Sequence, residues 1–310
     1  MRTGPLGRTG LSVTPLCIGT SALASMPELY GYAVSAERAV ATMLEVLDGE
    51  INFIDTSNGY GDSERRIGEA LRARGGLPAG FVLATKVDPD PVTGDFSGDR
   101  VRASVAESLD RLGLDRLQLL YFHDPERIPF EQGMAPGGAV EALVKLREEG
   151  VVEHLGVAGG PIGLLRRYLA TGAFEAVITH NRYTLVDRSA EPLLADAAER
   201  GIAVVNGAPY GGGMLVKGPD EQPKYAYRTA SDQTRERVRA MQEVCRAHGI
   251  PLAAAALQFS LREPRIASTI VGITTPERVA QTLELASLPI PGEVWERLEP
   301  LAAPTEEWLD

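Results

Sequence analysis

Residues 81–122 read FVLATKVDPDPVTGDFSGDRVRASVAESLDRLGLDRLQLLYF, and the rhythm inside this stretch decides the fold. A short apolar run at 81–84 is followed, beyond a polar segment, by Val101, Val105, Leu109 and Leu112. Spacings of three and four predict a helix over 101–112 with one apolar face. Gly113 stands where a helix C-terminus wants a residue free to take positive φ. A second apolar run at 117–122 then follows. Strand, amphipathic crossover and strand make one β–α–β unit, the building block of a parallel sheet.

The unit recurs on both sides. Strands are predicted at residues 16–18, 52–54, 153–157, 176–178, 202–205 and 267–271, with helices over 36–47 and 139–146. Gly49 and Gly201 close two helical stretches in the same way as Gly113. Eight alternating β-runs without an edge-strand signal argue for closure into a (β/α)8 (TIM) barrel, one domain over residues 1–310. The competitor is an open, doubly wound sheet. Against it, no G-x-G-x-x-G follows an early strand, and the Gly211–Gly213 run comes late with the wrong spacing. Residues 4–13 predict a small N-terminal β-hairpin. The link from strand seven to strand eight, residues 207–266, is long; it holds a polar loop at 217–232 and helical stretches at 233–247 and 251–261. A link of that length predicts a functional loop over the active face.

Charge narrows the partners. With 42 acidic and 31 basic residues the chain carries a formal −11, which repels phosphate backbones and anionic lipid. The expectation is a small-molecule substrate, without nucleic acid or membrane. Two isolated cysteines, Cys17 and Cys245, and no signal-like start point to reduced thiols and a cytoplasmic setting. The longest apolar runs fall far short of the ~20 residues a membrane span needs. Only four histidines occur, at 123, 154, 180 and 248, and His-x-His spacing is absent, so no metal site is expected.

Barrel active sites gather at the C-terminal ends of the strands. Strand two leaves as Asp55-Thr-Ser-Asn-Gly-Tyr60, strand three as Thr85-Lys86, and strand four as His123-Asp124-Pro125. A phenol with a reference pKa near ~10 trades protons poorly at neutral pH, and a neighbouring ammonium lowers that value. Lys86 supplies the ammonium in this reading, Asp55 holds Lys86, and His123 orients the substrate oxygen. A proton donor–acceptor beside a polarised oxygen suits carbonyl reduction or alcohol oxidation. Each residue also has a plainer reading, as a loop cap, a mouth lining or a solvated side chain. Four such accidents on adjacent strand exits are harder to accept than one.

The opening Leu6-Gly-Arg-Thr-Gly-Leu-Ser-Val13, Gly19-Thr20, Asn52-Phe-Ile-Asp55 through Tyr60-Gly61, Ser63-Glu64 with Gly68, Lys86 and His123 resemble the aldo-keto reductase superfamily. Asn181-Arg-Tyr-Thr-Leu-Val-Asp-Arg188 and Ala254-Ala-Ala-Leu-Gln-Phe259 are similar to its aldose 1-dehydrogenase and pyridoxal dehydrogenase-like branch. The resemblance implies a (β/α)8 barrel binding NADP or NAD without a Rossmann domain. It also implies Tyr60 as general acid/base, Lys86 and Asp55 tuning it, and His123 positioning an aldehyde, ketone, aldose or related alcohol. Cofactor contacts are implied at Gly19, Thr20, Asp55, Ala158, Gly159, His180, Gly207, Ala208, Tyr210, Gly272, Thr274 and Arg278.

Departures from the family pattern cluster at the cofactor. Where a Ser-Asn pair is usual after strand five, this chain has Ala158-Gly159-Gly160; His180 replaces a usual Gln, and Gly207 a stacking Tyr. Tyr210 can cover the ring instead, and the glycines after it can bring amides close to a pyrophosphate or simply form a turn. Arg278, just inside a helix started at Pro276, tilts the balance toward NADP. These departures leave room for a non-catalytic, nucleotide-sensing barrel, which the four acid–base residues argue against. Tyr30, Tyr32, Phe122, Tyr183, Tyr225 and Tyr227 are aromatics available to a pocket.

Overall fold

The computed structural model describes residues 1–27 and 31–309, so Tyr30 lies outside the described residues. Its strands are β1 (Leu16–Gly19), β2 (Phe53–Asp55), β3 (Val82–Val87), β4 (Leu117–His123), β5 (Val152–Gly159), β6 (Ala176–His180), β7 (Ala203–Gly207) and β8 (Ile266–Gly272). Each pairs in parallel with the next, and β8 returns to β1 with Thr269 opposite Leu16 and Gly272 opposite Gly19. The barrel is closed, as the alternation requires. Several strands run two or three residues further than their apolar runs, because the residues that finish them are mostly polar or glycine. Lys86 and His123 are therefore strand residues, held by backbone pairing, rather than loop residues after a strand.

Helices α1 (Ala36–Asp48), α2 (Ser63–Arg74), α3 (Gly98–Leu112), α4 (Ala139–Glu148), α5 (Ile162–Ala170) and α6 (Glu191–Arg200) fill the crossovers. Helix α3 starts three residues before its first apolar residue because the Ser97 side chain accepts from Arg100 N–H, a cap worth about 1 kcal/mol. It ends where Gly113 takes φ 69°. Gly49, read the same way, instead leaves α1 in extended backbone at φ −89°.

Two layers of core follow from strand alternation. Leu16, Ile18, Ile54, Leu83, Leu120, Phe122 and Val177 face the helices. Cys17, Phe53, Val82, Ala84, Leu119, Tyr121, Ala158, Ile178 and Val205 fill the cylinder. A Cβ on Gly156 would lie 2.3 Å from the Tyr121 ring, so that glycine is what admits the tyrosine. A third cluster forms around α7 (Asp232–Ala247), α8 (Leu252–Leu261) and the helix at Gly292–Leu298, and it buries Cys245.

The long link after β7 is only partly a loop. Gly211–Gly213 form a tight turn and Lys224–Tyr225 pair with Arg228–Thr229, but α7 and α8 belong to the outer wall. The N-terminal hairpin pairs Gly4–Pro5 with Ser12–Val13. After β8 come α9 (Glu277–Ser287) and α10 (Gly292–Leu298). The last residues strap back onto the loop after β6: Ala303 N–H donates to the Val186 carbonyl and Leu309 N–H to Asp187 Oδ2. No helix among the described residues is long and apolar enough to cross a membrane.

Candidate active site

Extending the inward alternation to the C-terminal rim gives Gly19, Asp55, Lys86, His123, Ala158, His180, Gly207 and Gly272, one from each strand. The rim divides into an ionisable arc from β2 to β4 and a set of small residues on β5, β7, β8 and β1. Lys86 Nζ lies 2.6 Å from Asp55 Oδ2, 2.7 Å from the Thr56 carbonyl and 3.3 Å from Tyr60 Oη. Tyr60 reaches in from the loop after β2, with its ring under the ammonium and edge-on to His123 at 5.7 Å between centroids. The four side chains read from the sequence as an acid–base unit are thus one contact cluster.

Electrostatics correct one premise. Burial favours the neutral amine of Lys86, but Asp55 and Tyr60 outweigh it and hold the ammonium above its ordinary range. Burial likewise raises Asp55, with Lys86 pulling it back. The Tyr60 hydroxyl was expected to be acidified. Instead burial lifts it above the usual phenol value, Asp55 adds to the rise, and Lys86 recovers only part. Without added positive charge beside it, Tyr60 rests protonated.

Asp88, which the sequence reading passed over, joins the cluster. It stands two residues past Lys86 on the same inward alternation, and its Oδ1 lies 2.7 Å from His123 Nδ1. Gly59 N–H donates to its Oδ2 at 2.7 Å, and the Ser57 hydroxyl donates to the same oxygen. The i+2 step from Lys86 was the available signal.

The positions implied for a cofactor spread around the same mouth. Thr20 is fully buried, its hydroxyl bound to the Asp55 carbonyl and to Ser63, so it buttresses β2. A Cβ on Gly19 would meet Ile270 at 2.6 Å. Gly159 and Gly160 pack on Glu126, which accepts the Gly160 amide. His180 is held down to about 4 by burial and by Arg182, so it is a neutral ring at pH 7. Ala208 takes φ 52° and accepts the Gly211 amide, while Gly213 donates to Tyr210. Those amides are spent on the turn, and a Cβ on Gly211 would sit 2.2 Å from the Tyr225 ring. The run is a turn before it is a phosphate cradle. Burial lifts Tyr210 to about 12 against the pull of Arg278. Arg278 lines a shallow cleft with Thr275, Glu277, Gln281 and Glu284, next to Thr274 and beyond Gly272. Of the candidate aromatics, Phe122 is sealed in the outer layer, Tyr183 stacks on Phe259, and Tyr225 bonds Thr184. Tyr32 and Tyr227 are exposed.

The sequence signature of the aldo/keto reductase family matches residues 15–303. The chain belongs to that family. This aldo-keto reductase is 32% identical to D-threo-aldose 1-dehydrogenase of Pseudomonas sp over 86% of this chain and 88% of the relative. It is also 32% identical to L-galactose dehydrogenase of Arabidopsis thaliana, over 97% and 94% of the two chains. Aldo-keto reductase AKR11C1 from Bacillus halodurans superposes with a TM-score of 0.79 over 97% of this chain and 96% of that one. At 24% identity that likeness is one of fold. As an aldo-keto reductase the chain is a nicotinamide-dependent oxidoreductase that moves hydride between cofactor and a carbonyl or alcohol carbon. The rim suits such a group: the small residues leave room for a flat ring, and Asp55 Oδ1 is buried without a partner among the described residues.

Proposed function

We propose that this chain is an NAD-dependent dehydrogenase of a small hydroxylated substrate, an aldose hemiacetal or similar alcohol, that also runs in reverse on the carbonyl. The observation carrying the assignment is the Lys86 ammonium, 3.3 Å from the Tyr60 hydroxyl and tied to Asp55 at 2.6 Å. The names of the two sugar dehydrogenases support the substrate class.

The hydride would come from, or pass to, a nicotinamide held at this rim. Tyr60 carries the proton at its Oη, giving it to the substrate oxygen in reduction and regaining it in oxidation. Lys86 stabilises the phenolate that reduction leaves behind, and Asp55 keeps Lys86 charged and aimed. His123 bonds the substrate oxygen from the side opposite Lys86. Gly19, Ala158, Gly207 and Gly272 would leave room for the ring, His180 would offer one hydrogen bond to it, and Tyr210 would cover the mouth.

Two carboxylates beside Arg278 favour NAD, against the tilt toward NADP that the sequence suggested. Glu277 and Glu284 line the same cleft, so a 2′-phosphate beside Arg278 would also meet two carboxylates. A ribose hydroxyl meets acceptors there. The test is absorbance at the reduced-nicotinamide band, with NAD and NADP, across aldoses, alcohols, aldehydes and ketones. We expect turnover with NAD at a KM at least ~10-fold below that for NADP, one decade per ~1.4 kcal/mol. Tyr60→Phe should lose at least ~100-fold in kcat with cofactor affinity kept. Near-normal turnover in that variant ends Tyr60's role.

A further inference from the structure

Among the described residues His123 has hydrogen-bond partners on one of its two nitrogens, and they decide what the other can do. Asp88 Oδ1 lies 2.7 Å from Nδ1, and Ser57 Oγ is 3.2 Å from the same nitrogen. Burial raises the Asp88 carboxyl, but the His123 charge and bond, the Ser57 hydroxyl and the Gly59 amide together hold it down at about 2. An ionised carboxylate only accepts, so the hydrogen between the two residues belongs to Nδ1. A neutral imidazole has one hydrogen, which leaves Nε2 a bare lone pair. The groups around the ring are Tyr60 at its edge, Lys86 and Asp55 behind Tyr60, His180 from β6, and Asp124, whose Oδ1 is 3.5 Å from Nε2. That last separation is too long for a normal hydrogen bond.

We propose that Asp88 is a positioning residue that locks His123 as the Nδ1–H tautomer, so that the neutral enzyme offers Nε2 as an acceptor and selects a substrate carrying a hydroxyl donor over one carrying only a carbonyl. The proposal rests on the reading above, in which His123 meets the substrate oxygen. The imidazolium, with both nitrogens protonated, is the form that donates to a carbonyl. Asp88 touches no reacting atom in this scheme. It works through the ring, as the orienting carboxylate of a His-centred hydrogen-bond chain does.

The first test needs neither cofactor nor turnover. In the full-length protein, uniformly labelled with 15N, long-range 1H–15N correlation separates protonated from bare ring nitrogens, and His123→Asn identifies the ring. At a pH where the ring is neutral, His123 should have Nδ1 protonated and Nε2 bare. Asp88→Asn can turn its amide hydrogens toward Nδ1, and the Nε2–H form should then become the major one. In the same variant the alcohol KM should rise ~10-fold or more while the carbonyl KM does not, because the substrate hydroxyl is left facing a donor. An Nε2–H ring in the unmutated protein overturns the proposal, as does an Nδ1–H ring unchanged by Asp88→Asn. The unmutated spectrum decides alone should the variant fail to fold. If no nicotinamide turnover is found with any substrate, the functional reading fails, and the tautomer result still stands or falls by itself.

Discussion

At the scale of single residues, the site is a set of buried charges whose partners decide their state. Removing one member of the Lys86–Asp55 pair strands the other. Asp55→Ala should destabilise the fold by about 3–5 kcal/mol, read as a lowered urea midpoint, beyond any loss of activity. Two groups also couple stability to pH. Asp88 has a folded pKa of about 2 against an unfolded value near ~3.9, so its contribution is complete above ~3.9 and fades as pH falls through 2. On the order of 2 kcal/mol is involved, and Asp88→Asn should lose about that at pH 7 and almost nothing near pH 2. His180 behaves differently. Its folded pKa of about 4 lies below the ordinary ~6.5, so the unfolded chain takes the proton first and stability drains as pH falls between those values. His180→Gln should flatten that acid limb, and equal slopes in variant and parent would count against the burial account. The acid–base four were legible because each sits at a strand end with the right chemistry. Asp88 was not, because a carboxylate in Asp88-Pro-Asp90 looks like ordinary turn chemistry until alternation from Lys86 is followed inward.

At the scale of elements, the site loop is braced by helix contacts that a substitution can test. Gly68 on α2 is where that helix crosses α3, and a Cβ there would lie 2.0 Å from the Arg111 carbonyl oxygen. Arg111 in turn donates to the Asn58 carbonyl and pairs with buried Glu64, which ties the α2–α3 contact to the loop carrying Tyr60. Gly68→Ala gains up to ~1 kcal/mol in helix propensity but must push backbone apart at a cost of about 1–3 kcal/mol, so the clash wins. A thermal midpoint several degrees lower and a reduced kcat should appear together; a rise in stability would mean the helices separate freely. Helix α3 was readable from its apolar face, yet its true start was not, since Ser97 rather than a hydrophobic residue begins it. The strands were readable in number and order but not in length. Apart from Val87 of β3, their final residues are glycine or ionisable, and an apolar-run criterion stops before them.

At the scale of the molecule, closure and strap hold the cylinder together. The chain's last residues cover the loop after β6, with Ala303 buried, Trp308 donating to the Ala303 carbonyl, and Leu309 on Asp187. Deleting residues 302–310 uncovers that loop and leaves Val186 and Asp187 short of a donor. A loss on the order of 2–5 kcal/mol is expected, with faster amide exchange in residues 181–189 than elsewhere. Unchanged exchange there would make the strap ornamental. The two thiols lie in separate layers, Cys17 inside the cylinder and Cys245 among the outer helices, both buried, with burial pushing each above the ordinary thiol range. A reagent in solution meets Cys245 when the outer wall breathes, but Cys17 only when the staves themselves part. The pair is a two-handed clock: one alkylation rate counts local opening and the other counts complete rupture, with no label engineered into the protein.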